Sequence, residues 1–112
     1  MPCGVYVARV GGMVTDDVFA VIAEATRRDI LVSLRAGDKA VGELVEELSA
    51  SQPTISKHLK VLRERGLVYT ERQGTVITYH LVDQRVIHAM DLLRSAMRDR
   101  LTQQANLVTE LT

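Results

Sequence analysis

Residues 51–60, Ser-Gln-Pro-Thr-Ile-Ser-Lys-His-Leu-Lys, constrain the fold more than any other stretch of this chain. Pro53 suits the first turn of a helix, where its missing N–H breaks no hydrogen bond. Ile55, Leu59 and Leu62 then recur at the spacing of a buried helical stripe. Between them Gln52, Thr54, Ser56, Lys57, His58 and Lys60 are expected to point outward. Hydroxyls, an amide and cations on one helix face can donate to phosphates and to base edges in a major groove. An ordinary solvated helix surface can carry the same residues, so the flanks have to decide.

Upstream, residues 40–48 read as a short amphipathic helix with Val41, Leu44, Val45 and Leu48 on its apolar face. Ser49-Ala50-Ser51 leaves room only for a tight break before the next helix. Two helices so joined, the second polar and basic at its start, form a helix-turn-helix. Downstream, Arg65-Gly66 predicts a helix end with a left-handed glycine. Residues 67–72 and 76–82 are β-rich runs around Gln73-Gly74-Thr75, the pattern of a hairpin. A helix-turn-helix followed by a hairpin is a winged helix, which is far more specific than either part. The expected class is mainly α with a small β-hairpin (α+β), in the order α-α-α-α-β-β-α.

Charge supports a nucleic-acid face once its distribution is considered. The formal net charge is zero, which by itself argues against a polyanionic partner. Yet residues 51–72 carry Lys57, Lys60, Arg63, Arg65 and Arg72 against Glu64 and Glu71, while residues 40–50 carry only Glu43, Glu46 and Glu47. The acidic first helix and the basic second helix therefore belong on different faces. A neutral dimer with one basic face still binds DNA by counterion release, with modest non-specific affinity.

The remaining chain frames this unit. Its 112 residues, with one Phe and no Trp, suit one domain with an aliphatic core. No apolar run reaches membrane-span length, the N-terminus lacks the layout of a secretory signal, and a single cysteine excludes an internal disulfide. A soluble, cytoplasmic protein is expected. Thr15-Asp16-Asp17 opens a helix with Val18, Phe19, Val21 and Ile22 apolar; a second helix runs from about Ala25 to Arg35, facing Ile30, Leu31 and Leu34 to the core. Arg27 and Arg28 fall in its first turn, where the helix dipole disfavours cations. Either they touch phosphate or they are solvated or paired; Arg27 is retained as a DNA-contact candidate. From Asp83 to about Asn106, Val86, Met90, Leu93, Met97 and Leu101 form a helical stripe, widened by Ile87 and Leu92. That stripe either packs on its own domain or, as favoured here, pairs with its copy in a second subunit. Val18 joins this expected dimer interface. The domain boundaries follow: 1–13 an N-terminal extension, 14–82 the winged helix-turn-helix, 83–106 the dimerisation helix and 107–112 a tail. Residues 1–12, with a strand-like run over 5–10, are expected to be dispensable for folding, Met13 being a plausible translation start.

Residues 19–83 resemble the ArsR/SmtB family of bacterial winged-helix repressors. The resemblance rests on Glu24-Ala-Thr-Arg-Arg-Asp-Ile-Leu, on Val41-Gly-Glu-Leu, on Ser51-Gln-Pro-Thr-Ile-Ser-Lys-His-Leu-Lys-Val-Leu-Arg-Glu-Arg-Gly-Leu-Val, and on Tyr79-His-Leu at the wing's end. It implies a homodimer that binds an inverted repeat of double-stranded operator DNA, usually represses, and is released by an effector. The metal sites of the family are not matched. Residues 41–48 hold no sulfur where some members carry a Cys-x-Cys pattern, and a thiolate site needs Cys ligands. In the terminal helix only His88 and Asp99 fall on the spacing other members use, with Val86 and Thr102 in the remaining places. No metal and no cofactor are therefore expected. Cys3 has only Arg9 nearby in sequence to activate it and lies outside the family-like region. The wing tip departs too: Thr75 and Val76 stand where members often place a basic residue, which leaves Arg72 as the wing's contact.

The leading function is a homodimeric, sequence-specific transcriptional repressor. Thr54, Ser56, Lys57 and His58 would read bases, Gln52 an adenine, Ser51 would cap the helix and touch phosphate, and Lys60 and Arg72 would contact backbone. The alternative is a winged-helix interaction module without DNA binding, though such a surface should be more apolar than residues 51–60. An enzyme is the weakest reading, because His58, His80 and His88 fit no nucleophile or metal pattern. No effector pocket or target gene is legible in the sequence.

Overall fold

The computed structural model describes residues 18–111. The helix start at Thr15, the strand-like run over 5–10, Met13 and Cys3 lie outside them. Helix α1 (Val18–Ile22) leads through a tight turn to α2 (Ala25–Ala36). A two-residue strand β1 (Lys39–Ala40) precedes α3 (Val41–Leu48) and α4 (Gln52–Glu64), and then come β2 (Val68–Gln73), β3 (Val76–Leu81) and α5 (Arg85–Leu111). The expected helices and hairpin are present. The addition is β1, which pairs antiparallel with β3 (Lys39 opposite Tyr79, Ala40 opposite Thr78) and makes a three-stranded sheet in the order β1-β3-β2. Two residues carry too short a pattern for alternation to be read.

Each junction has a local cause. Arg28, unfavourable in the first turn of α2 by the dipole argument, donates its Nη1 to the carbonyls of Ile22 (2.8 Å) and Ala23 (2.9 Å). It thus closes the C-terminal end of α1, where a cation is favoured. Glu24 caps α2 by accepting the Thr26 N–H at 3.1 Å, which holds its carboxyl below the ordinary carboxylate range. Lys39 donates from Nζ to the Ser33 carbonyl (3.0 Å) and pairs with Glu47 (3.8 Å), tying the end of α2 to α3. Glu43 reaches back to accept the Ala40 N–H at 2.9 Å at the start of α3.

The break between α3 and α4 turns on Ser49, whose φ of 53° places it in the left-handed region. Ala50 then donates its N–H to the Val45 carbonyl, closing α3. At the other end of α4, Gly66 (φ 79°) donates to Arg63 O at 3.1 Å and Leu67 donates to Leu62 O at 2.9 Å. Those two bonds form the Schellman pattern anticipated at Arg65-Gly66. The hairpin closes over Gly74-Thr75, with Gln73 paired to Val76 and Gly74 at φ 64°. A glycine with positive φ at the first central position is what a type II′ connection requires.

The contacts divide the chain into two compact units on either side of the Val82–Asp83 bond. In the first, Val21, Ile30, Leu31, Leu34, Leu44, Ile55, Leu59, Leu62 and Val68 are buried, an aliphatic core built by all four helices and the sheet. Phe19, expected on the apolar face of α1, is exposed. The second unit is α5, whose start is organised by Asp83: its carboxylate accepts the Arg85 N–H at 2.9 Å and pairs with the guanidinium at 2.7 Å. The Arg85 side chain holds that carboxyl down to about 2. The helix continues to Leu111, past the expected end near 106, so most of the predicted tail is helical. No helix among the described residues is long and apolar enough to cross a membrane.

Candidate nucleic-acid interface

Helix α4 begins at Ser51, whose Oγ accepts the Thr54 N–H at 3.3 Å and donates to Thr54 Oγ1 at 2.9 Å. Pro53 in the first turn and this cap fix where the helix starts, and Ile55, Leu59 and Leu62 lock its rotation by entering the core. With rotation fixed, Gln52, Ser56, Lys57 and Lys60 are exposed along one side, Ser51 sits at the entry, and Thr54 is half-buried. The face is polar, bears two cations and carries no carboxylate before Glu64 at the helix end. Donors of this kind satisfy both phosphate oxygens and purine edges.

His58 does not belong to that face. It is only 6% exposed, and Arg27 donates from Nε to its Nδ1 at 3.1 Å. An Nδ1 that accepts leaves the ring's proton on Nε2, so the imidazole is neutral in this arrangement. Burial pushes its pKa below the ordinary histidine value, nearby Glu24 opposes the shift, and Arg27 and Lys57 reinforce it. The helical position of residue 58 lies beside Leu59 and Leu62, close enough to the buried stripe that a partner on α2 draws the ring inward. Arg27, a sequence candidate for phosphate contact, is accordingly half-buried between α2 and α4. The readable signal was the placement of a cation in the first turn of α2, which calls for a specific partner.

On the wing, Arg72 is exposed on β2 and pairs across the hairpin with Ile77, next to the Gly74-Thr75 tip. At the wing's root stands a histidine that sequence reasoning had set aside. His80 Nδ1 lies 2.8 Å from Asp38 Oδ1, and its Nε2 lies 3.0 Å from both Glu71 Oε1 and Thr78 Oγ1. Its ring stacks on Tyr69, with centroids 4.9 Å apart. Glu71 is the residue before Arg72, so this cluster grips the wing strand itself.

In α5, Leu93, Met97 and Leu101 of the predicted stripe are exposed, joined by Leu92 and Leu107. Met90 is 3% exposed and so is not part of that open face. Val86 and Val18 are half-buried. Among the described residues no group of three or more His, Cys, Asp or Glu is placed to hold a metal ion.

Residues 24–70 match the sequence profile of the bacterial regulatory protein arsR family. The chain is 41% identical over 70 residues to the HTH-type transcriptional regulator KmtR of Mycobacterium tuberculosis, covering 62% of this chain and 54% of that protein. It therefore spans about half the length of KmtR. It is 35% identical over 82 residues to the arsenical resistance operon repressor of Escherichia coli, covering 72% of this chain and 70% of that repressor. Among solved structures it superimposes, with a TM-score of 0.68 and 26% identity, on the homodimeric winged helix-turn-helix DNA-binding domain of Mb0332 from Mycobacterium bovis, over 79% of this chain and 82% of that one. The chain belongs to the arsR family of bacterial regulatory proteins.

Proposed function

We propose that this protein is a homodimeric, sequence-specific DNA-binding repressor acting in the cytoplasm on an inverted-repeat operator. The observation that carries this reading is the exposed face of α4, where Gln52, Ser56, Lys57 and Lys60 lie together on a helix whose rotation the core fixes. Ser51, Gln52, Ser56 and Lys57 enter the major groove, with Thr54 holding Ser51 in place from behind. Lys60 and Arg72 take phosphates. Arg27 supports α4 through His58 rather than reading DNA. Leu93, Met97 and Leu101 supply a face on α5 that pairs with its copy, since a stripe of exposed leucine and methionine is what a second helix covers. The arsenical resistance operon repressor and KmtR, both regulators by name, support the assignment.

The test is binding of the purified protein to DNA from immediately upstream of its own gene, against scrambled DNA, at two salt concentrations. A preference that survives the higher salt supports the reading. With two phosphate-contacting cations per protomer, log K against log salt should fall with a slope of about −4 for the dimer. Equal and strongly salt-sensitive binding to both fragments removes the claim of sequence specificity at this site. No binding to either removes the DNA-binding reading.

A further inference from the structure

We propose that His80 is a proton-operated latch on the wing: as an imidazolium it grips Asp38 and Glu71 together, and on losing a proton it lets Glu71 go. The proposal rests on the DNA-binding reading above for its consequence, but its geometry is a property of the free protein. Both ring nitrogens lie within hydrogen-bond distance of a carboxylate oxygen, Nδ1 with Asp38 at 2.8 Å and Nε2 with Glu71 at 3.0 Å. An ionised carboxylate only accepts, and a neutral imidazole has a single N–H. The neutral ring can therefore serve one of these partners and turns a lone pair toward the other. Two N–H groups serve both.

Thr78 decides which partner is lost. Its Oγ1 lies 3.0 Å from His80 Nε2 and 3.5 Å from the Glu71 carbonyl. In the protonated state Nε2–H is shared between Glu71 and the hydroxyl oxygen, and the hydroxyl donates to the Glu71 carbonyl. When Nε2 loses its proton, the Thr78 hydroxyl turns and donates into it, while Nδ1–H stays on Asp38. Asp38 has no such substitute beside it. The released group is thus the Glu71 carboxylate, one residue before Arg72 on the strand that carries the wing tip.

Asp38 comes from the connection between α2 and β1, Tyr69 and Glu71 from β2, and Thr78 from β3. Lys39, the cation adjacent to Asp38, is turned to the Ser33 carbonyl and Glu47. Arg72 alternates to the opposite face of β2. Deprotonation removes one positive charge from the wing root and frees a carboxylate beside Arg72. Both changes oppose approach to phosphate, so DNA affinity falls when the ring gives up its second proton.

The experiment measures the dissociation constant for operator DNA at fixed ionic strength from pH 5.5 to 8.5, with the intact protein and with Glu71→Gln and His80→Gln. The wild type should weaken by about tenfold across that range, within the limit of one proton per wing. Glu71→Gln should make the profile shallower, leaving only the effect of the ring's own charge, without loss at pH 8.5, because its amide can accept from Nε2–H or donate to bare Nε2. His80→Gln should flatten it. Equal pH slopes in all three proteins would overturn the latch. Imidazole ¹⁵N spectra of the free protein give a second readout that needs no DNA. The latch requires an imidazolium at low pH and an Nδ1–H tautomer at high pH. A neutral ring in the Nε2–H tautomer overturns it even if DNA binding is intact. The expected spectra without DNA binding at any pH would leave the latch standing and remove the repressor reading instead.

Discussion

One substitution, glycine to alanine, should shift stability in opposite directions at two sites that differ only in backbone conformation. At Gly66 and at Gly42 an added Cβ would meet no atom within 4 Å, so packing contributes nothing in either case. Gly66 has φ of 79°, and an L-residue in the left-handed region costs about 1–2 kcal/mol. Stiffening the unfolded chain returns about 0.4–1 kcal/mol of that. The net loss for Gly66→Ala is therefore about 1 kcal/mol, which lowers Tm by roughly 4–8 °C in a domain of this size. Gly42 sits in α3 with no positive φ, so Gly42→Ala should gain about 0.5–1 kcal/mol through helix propensity. The Gly66 and Leu67 N–H bonds to Arg63 and Leu62 use backbone atoms only and survive the change. Thermal and urea unfolding followed by far-UV circular dichroism, at one fixed protein concentration because a dimer's midpoint depends on it, measures both variants. An unchanged m value shows that the effect is on stability alone. Gly66→Ala at or above wild-type stability would refute the strain argument, and a loss beyond about 3 kcal/mol would mean that contacts, not φ, hold this corner.

Ser33 is buried with its Oγ lacking a hydrogen-bond partner, so Ser33→Ala should stabilise by about 1 kcal/mol in urea titrations; destabilisation would show that the hydroxyl has a partner in solution. His58 has its pKa lowered in the folded state, so the native protein binds fewer protons there than the unfolded chain. Its contribution is full above the ordinary value of 6.5 and declines as pH falls through 6.5 toward the lower folded value. The urea midpoint should therefore drop between pH 7 and pH 5, and less so in His58→Gln; identical slopes would exclude His58 as the cause. Lys57→Ala should cost about 1–3 kcal/mol of operator binding if the ammonium reads a guanine, with the loss confined to operators that retain that base. A uniform loss across operator variants would reassign Lys57 to phosphate, and no loss would displace the recognition face.

How much was legible follows from how far each signal reaches along the chain. The helix-turn-helix was readable because its signals are local: Pro53, the Ser51 cap, the Ile55–Leu59–Leu62 stripe and Gly66 act within a turn or two of where they stand. The hairpin was readable for the same reason, through Gly74. His58 was misplaced because its partner is 31 positions away on α2. A polar side chain at the margin of a stripe goes inward or outward according to whether a distant residue can satisfy it. Arg28 was left open between phosphate and solvent because the carbonyls that receive it belong to the preceding helix's end, and helix α1 is only five residues long. Strand β1 was missed because two residues become a strand only when β3 offers an edge. The Asp38–His80–Glu71 cluster needed the same register, since only β1 beside β3 brings Asp38 next to the ring.

The two buried or half-buried histidines of the first unit show why identical residue types had to be placed before they could be interpreted. His58 accepts from a guanidinium, and its surroundings disfavour a second proton, which seats α4 best at neutral pH and above. His80 stands between two carboxylates that can receive two N–H groups, an arrangement complete only when both nitrogens are protonated. Acidification therefore loosens the support under α4, while a second proton on His80 would secure the wing. The two effects fall on different observables. His58 acts on unfolding, through a core contact, and His80 acts on the charge and position of an exposed strand. A pH series of DNA binding taken only above the acid limb of the unfolding curve isolates the wing, and a His58→Gln background should leave its slope intact. If removing His58 flattens that slope instead, the proton that DNA binding senses sits under α4 and the wing is a passive contact.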